Sequence, residues 1–210
     1  MARCIHALDW TRTPLGHPQT WPQTLCTTLD IMLASSFPML VLWGHDLVQL
    51  YNDGYRDLMG AKHPSGLGQP THDCWPESRH FTAGIFQGVL ERGESYEFVD
   101  QHLVLQRNGN DEDTYFTLNY SPIRDAGAVG GALLLVTETT RHVLTQRQLH
   151  EQHAELQVRT KALANFAELS RELAFETDRY ALVRRTQEIV LHLLPPGTAC
   201  TTNSKITCGS

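Results

Sequence analysis

Paired cysteines, basic clusters and long apolar runs are all missing from this chain of 210 residues, and each absence excludes a class of protein. The five cysteines, Cys4, Cys26, Cys74, Cys200 and Cys208, are scattered, odd in number and never in CxxC spacing. Such usage suits reduced thiols rather than a disulfide framework. With 17 Lys and Arg against 23 Asp and Glu, the formal net charge is −6. No basic stripe marks a nucleic-acid-binding face, so no nucleic-acid partner is expected. The longest apolar stretch, Ile31 to Trp43, is broken by Ser35, Ser36 and Pro38. A bilayer-spanning helix needs roughly 20 predominantly apolar residues, so no membrane association is expected. The start, MARCIHALDW, has neither the basic segment nor the apolar run of a signal peptide, and the expected location is the cytoplasm.

Catalytic signatures are equally scarce. The chain has no G-x-S-x-G, P-loop, H-E-x-x-H or G-x-G-x-x-G motif. Its acidic run, Asp111-Glu112-Asp113, falls in a hairpin loop, where carboxylates are ordinarily solvated. Cys74, in His72-Asp73-Cys74-Trp75, has no second His/Cys pair at ligand spacing, so no metal site is expected. Neither a catalytic centre nor the nucleotide motifs of a kinase core can be read in these residues.

What is present is the composition of a globular protein, 41% hydrophobic and 19% charged. Residues 1–21 form an irregular strap, since Leu8 to Gln23 carries three prolines and two tryptophans. The spacing of Leu25, Leu29, Met32 and Leu33 predicts a helix over 22–36. Met39–Trp43 and Leu47–Tyr51 read as a hairpin around Gly44-His45-Asp46. Asp53 is placed to cap a short helix that Gly60 ends. Arg79 to Gly93 reads as the longest helix of the region, with Phe81, Ile85, Val89 and Leu90 on one face. Three β-rich runs follow, Tyr96–Gln106, Thr114–Arg124 and Val129–Thr137. Alternation puts Phe98, Asp100, His102 and Val104 on one face, while GGALLLV reads as a strand buried on both. After Thr140 comes a stretch without Pro or Gly in which Leu149, Leu156 and Leu163 recur every seven residues, a weak coiled-coil seam.

This order, from FPMLVLWG-HDLVQLYNDGYRDLMG to EDTYFTLNYSPIRDAGAVGGALLLVTETT, resembles a PAS sensory domain. The resemblance implies an α+β fold, a five-stranded antiparallel sheet with flanking helices over residues 22–140, followed by a long C-terminal helix or helix pair. It also implies a ligand pocket between the sheet and the small helices. Matched to this chain, the lining is Leu42, Leu50, Tyr55, Leu58, Trp75, Phe86, Phe98, His102, Phe116, Leu118 and Tyr120. The same residues would serve equally as plain core.

The pocket's content is left unknown. A haem-binding relative would offer His72, His80 or His102 as its iron ligand, and a flavin photosensor would need a reactive Cys in a motif that the surroundings of Cys74 do not match. Neither cofactor is expected. The family's sheet commonly ends in Asp-x-Thr. Here Thr137-Glu138-Thr139 stands in that place, with Thr140 following, so Glu138 is the candidate coupling residue and Thr139 or Thr140 the cap of the output helix.

Residues 141–168 are then a signalling helix, 169–197 resemble the opening helices of a GAF domain, and 198–210 form a disordered tail. The whole resembles the front of a multi-domain bacterial sensor histidine kinase. That implies a homodimer joined through the C-terminal helix, a possible small-molecule ligand and a non-catalytic role. A ligand-free dimerisation scaffold and a haem-based gas or redox sensor are the alternatives.

Overall fold

The computed structural model describes residues 1–174 and positions 183, 184, 186 and 187. The chain divides into two units, Met1–Gln148 and Leu149–Ser210. In the first, helices α1 (Ala2–Ala7) and α2 (Gln23–Ala34) precede strands β1 (Met39–Trp43) and β2 (Val48–Tyr51). Helices α3 (Asp53–Met59), α4 (Thr71–Cys74) and α5 (Arg79–Gln87) come next, then strands β3 (Tyr96–Leu105), β4 (Glu112–Asp125) and β5 (Ala128–Glu138). Helix α6 (Thr140–Ala174) begins in the first unit and continues into the second. No helix among the described residues is long and apolar enough to cross a membrane.

The strands form one five-stranded antiparallel sheet, as the resemblance implies, in the order β2-β1-β5-β4-β3. Its two faces follow from parity. Residues directly opposite on paired strands share a face. Leu40 pairs with Leu134 and Leu42 with Ala132, which puts all four on the face below α3, α4 and α5. Val41 pairs with Leu50, so both turn to the other face, where α2 lays Leu25, Leu29 and Met32 on the sheet. Leu50 is therefore core beneath α2, not pocket lining. The error is one of parity, since all four residues of β2 are buried and burial alone does not say on which side.

Two further corrections and one expectation that holds concern local geometry. Alternation fails in β3 because a bulge follows Phe98: Phe98 faces Leu118, yet Gln101 already faces Phe116, with Asp100 at φ 51°. One extra residue reverses the faces from there on. Leu103 and Leu105 turn inward, while His102 and Val104 turn out. In β5, Leu133 is half-buried and Leu135 is 38% exposed, so this central strand is not covered on both faces. The expected helix over 79–93 is α5 completed by a π-helical turn, Gly88–Arg92, and Gly93 ends it in the left-handed conformation.

Asn52, not Asp53, caps α3. Its Oδ1 accepts from the backbone N–H of Tyr55 and of Met39, each at 3.0 Å. Its Nδ2 donates to the carbonyls of Met32 and Ser35 at 3.1 Å and of Phe37 at 2.7 Å. One buried amide thus joins the end of α2, the start of β1 and the start of α3. The outer edge of β2 is closed by the loop before α4, through Gln49 N–H to the Gln69 carbonyl and Thr71 N–H to the Leu47 carbonyl. Such covering removes an edge that would otherwise pair with another chain.

The strap is anchored by Trp10, 2% exposed, whose indole donates to the Ile5 carbonyl. Its ring meets Trp21 edge-on at 4.9 Å. Burial of a tryptophan of this kind contributes about 4 kcal/mol.

The Gly130-Gly131 pair in β5 has a packing cause. The Trp43 ring lies across it, and a Cβ on Gly131 would fall 2.4 Å from the Leu42 carbonyl oxygen. Because that oxygen belongs to the neighbouring strand's backbone, it has no side-chain freedom to yield. Gly131→Ala is expected to destabilise the fold by about 2 kcal/mol, in the range of overpacked cores. Chemical unfolding followed by circular dichroism reads this, and a change within error would show that β1 and β5 can separate locally.

Candidate functional site

Between the sheet and α3, α4 and α5 lies a chamber of about 70 Å³. Eight of the predicted residues line it: Leu42, Tyr55, Leu58, Trp75, Phe86, Phe116, Leu118 and Tyr120. Leu50 lies on the opposite face of the sheet. Phe98 packs beside the chamber, edge-on to Phe81 at 5.0 Å and to Tyr120 at 6.2 Å, but does not line it. His102 is on the outer face, 2.7 Å from Asp113 and ring to ring with Tyr115 at 5.0 Å. Leu40, Leu103, Leu105, Leu134 and Val136 complete the apolar wall. The β3 residues among them were hidden by the bulge.

The polar groups here are few and neutral. Ser78 donates to the Trp75 carbonyl at 3.1 Å and Thr82 to the Ser78 carbonyl at 3.2 Å, so both hydroxyls serve local helix geometry. Trp75 Nε1 is buried with no hydrogen-bond partner, although the indole is turned toward the Tyr55 hydroxyl. Burial pushes the phenols of Tyr55 and Tyr120 far up, so both stay protonated.

Trp75 is fixed from behind. Lys62 Nζ sits 4.0 Å above its ring, donates to the Cys74 carbonyl at 2.6 Å and pairs with Glu77 at 2.7 Å. Burial works against the Glu77 carboxylate, but Lys62 and the Gln106 backbone N–H hold its pKa below the usual range. Since Gln106 directly follows β3, this partly buried pair ties the chamber's roof to the β3–β4 hairpin.

No histidine lines the chamber, His80 is exposed, and ligand pockets for drug-sized molecules typically run from about 300 Å³ upward. These residues do not fit haem. A flavin thiol adduct fits no better, because Cys74 is packed against Gly66 and Gln49 outside the chamber, and burial raises its thiol pKa. No cluster of three or more metal-ligating side chains exists among the described residues.

The strand–helix junction is the other half of the site. Arg107, in the β3–β4 hairpin, grips Glu138 with both terminal nitrogens, at 2.7 and 3.1 Å, while its Nε holds Glu112 at 2.7 Å. Thr140 donates to Glu138 at 2.9 Å and accepts from the Tyr115 backbone N–H at 3.0 Å. Thr139 N–H donates to the Tyr115 carbonyl at 2.7 Å, and its own carbonyl receives Val143 N–H at 2.9 Å. Thr139 Oγ1 is buried without a partner, so neither threonine hydroxyl caps α6; Thr140 is used across the sheet instead. Thr137 is exposed opposite Thr117 and takes no part in the clamp. The hydrogen bonds from Arg107, opposed by partial burial and helped by Thr140, hold Glu138 below the usual carboxylate pKa.

Arg107 was missed because its hairpin reads as a solvated loop. The tip is instead held at close quarters, with Ala61 N–H on the Arg107 carbonyl at 2.8 Å and Gly60 at φ 55° where a Cβ would meet Asn108.

Beyond the junction, Leu149, Leu156 and Leu163 are 55, 57 and 66% exposed along α6, with Phe166 at 66%. The helix runs without a break through the region expected to end at residue 168. The GAF-like start at 169–197 falls largely, and the tail at 198–210 wholly, outside the described residues.

This is the architecture of a sensory domain with a buried chamber and a long helix after its last strand. A sequence profile described as PAS fold matches residues 33–144, more than half of the chain, and the chain belongs to that family. No curated protein matches. Among solved structures, a PAS domain of a protein from Colwellia psychrerythraea is 16% identical, covering 56% of this chain and 98% of that one, with a TM-score of 0.42. The PAS domain of Bordetella pertussis BvgS is 19% identical, covering 63% and 99%, with a TM-score of 0.40. An RNA-binding light-oxygen-voltage receptor is 16% identical over 69% of this chain, with a TM-score of 0.45; the chain spans 41% of that receptor's length.

Proposed function

We propose that this chain is the N-terminal PAS region of a bacterial sensor histidine kinase, a module that binds a small ligand and transmits that event through α6. In this reading residues 1–21 strap the sensory domain of 22–140, residues 141–168 signal and dimerise, and 169–197 open a GAF-like domain. ATP-dependent phosphorylation of histidine belongs to further domains of the parent protein.

The observation that carries the reading is the Arg107–Glu138–Thr140 clamp, which joins the hairpin, the end of β5 and the start of α6 in one hydrogen-bonded group. A ligand shifts this equilibrium only by binding one arrangement of sheet and helix better than the other. Val136 and Phe116 line the chamber, and Glu138 lies opposite Phe116 on β4, so a displacement of these strands is felt at the clamp.

The exposed leucines of α6 support a homodimer. Replacing Leu149, Leu156 and Leu163 together with glutamate is expected to convert a dimer to a monomer in light scattering, since the seam is the driving contact. A variant as dimeric as the parent would place the dimer contact elsewhere. The absorbance between 350 and 500 nm and native mass spectrometry of the purified chain separate a sensor from a ligand-free scaffold. The expected result is a colourless protein that retains a small molecule. Bare protein in both measurements would favour the scaffold.

A further inference from the structure

We propose that the chamber takes a small, uncharged molecule bearing a hydrogen-bond acceptor, such as a ketone, aldehyde or ester of a few heavy atoms. The proposal rests on the sensory reading above and adds the chemical class of the ligand.

Charge is excluded by the walls. None of the side chains lining the chamber is ionised at neutral pH. A carboxylate or ammonium group entering it would lose its hydration and meet no counter-charge. Size points the same way. A chamber of about 70 Å³ holds a few waters or a few heavy atoms, whereas an engineered apolar cavity of roughly 150 Å³ admits benzene.

The acceptor follows from what the wall offers. Trp75 is 7% exposed, and its Nε1–H, which can only donate, has no acceptor. Tyr55 and Tyr120 are 7% and 2% exposed and line the same chamber. Neither phenol donates to a protein group among the described residues, unlike Tyr51, whose hydroxyl meets His63 Nδ1 at 3.0 Å. The surplus is therefore of donors. With the indole turned to Tyr55, a ligand oxygen that takes the Tyr55 proton lets Trp75 donate to the phenol oxygen in turn. Such a chain strengthens both bonds.

The test uses the full chain labelled with ¹⁵N, with the Trp75 indole N–H resonance assigned through Trp75→Phe. Titration with acetone is expected to move that resonance saturably. Propionate and n-propylammonium, of the same carbon count, should bind at least about tenfold more weakly, since one desolvated charge outweighs the 1.4 kcal/mol that a tenfold ratio represents. Tyr55→Phe and Tyr120→Phe, which keep the ring volumes, should each weaken acetone binding. Equal binding of the charged probes overturns the proposal, as does acetone binding unaffected by both Phe variants. No saturable shift with any probe means that the chamber holds water alone, and also overturns it. Native mass spectrometry keeps the two readings apart. A charged molecule retained by the chain leaves the sensory reading standing and refutes the ligand class, whereas a chain that retains and binds nothing refutes both.

Discussion

Asn52→Ala is expected to lower the unfolding free energy by about 3 kcal/mol, the largest loss from any polar substitution in this domain. The side chain is 1% exposed, accepts from two backbone N–H groups and shares its two amide hydrogens among three carbonyls, across three elements. Truncation strands several of these groups where water does not reach them, and each stranded group costs roughly 1–3 kcal/mol, partly relieved by relaxation. For a domain of this size the midpoint of thermal unfolding should fall by roughly 6–12 °C. Asn52→Asp separates the two halves of the role. Its carboxylate can still accept from Met39 and Tyr55 but has nothing to donate to the carbonyls of Met32, Ser35 and Phe37 and adds a buried charge. It should be at least as damaging at neutral pH and recover in part as the carboxyl takes up a proton on acidification. A midpoint within about 2 °C of the parent for Asn52→Ala would show that the three elements are held by apolar packing alone.

Arg107→Ala should release the junction while leaving the domain folded. The bidentate pair with Glu138 and the third bond to Glu112 vanish together, leaving two carboxylates facing one another without a cation. Because the group is only partly buried, the global cost should be modest, about 1–2 kcal/mol. The local effect is larger. Amide exchange at Tyr115, which donates to Thr140, and at Val143, in the first turn of α6, should accelerate about tenfold, whereas the β1–β5 ladder should be unchanged. Arg107→Lys should not restore protection, since an ammonium group cannot span both oxygens of Glu138. The pH dependence has a definite sign. Glu138 titrates lower in the folded state than the ordinary glutamate value of about 4.3, so its contribution is fully present above that value and is lost as pH falls from there through the lower folded-state value. Glu138→Gln should flatten this acid limb at the junction. Uniform acceleration over the whole sheet in Arg107→Ala would instead make Arg107 a general stabiliser with no special bearing on α6.

The sequence reaches different depths at these places. Strand order and helix order were legible, because turn residues and hydrophobic period are local signals that this fold does not override. The seven-residue leucine spacing and the absence of breakers likewise announced α6. Because the cap of α3 was read at Asp53, Asn52 was passed over. Its carbonyl partners lie 15–20 residues away, and nothing local to Asn52 names them. Arg107 and Glu138 stand 31 residues apart, so the sequence offered the carboxylate through its place at a strand end but not the cation that makes it a clamp. Leu50 and His102 failed for a shared reason. Hydrophobic alternation tells which residues are alike, not which face is which, and a bulge at a non-glycine residue gives no compositional warning.

That bulge has a consequence for how such a chamber diversifies. In β3 a single unpaired backbone unit at Asp100 sets the phase of everything after it, so Leu103 and Leu105 rather than His102 and Val104 meet the cavity. A shift of phase exchanges the whole set at once, replacing aliphatic wall by an imidazole and its neighbours, whereas point substitutions alter one contact at a time. Length change by one residue in this strand is thus the shortest mutational path between an apolar chamber and one that presents a titratable, metal-competent ring, with the sheet order and the output helix left as they are.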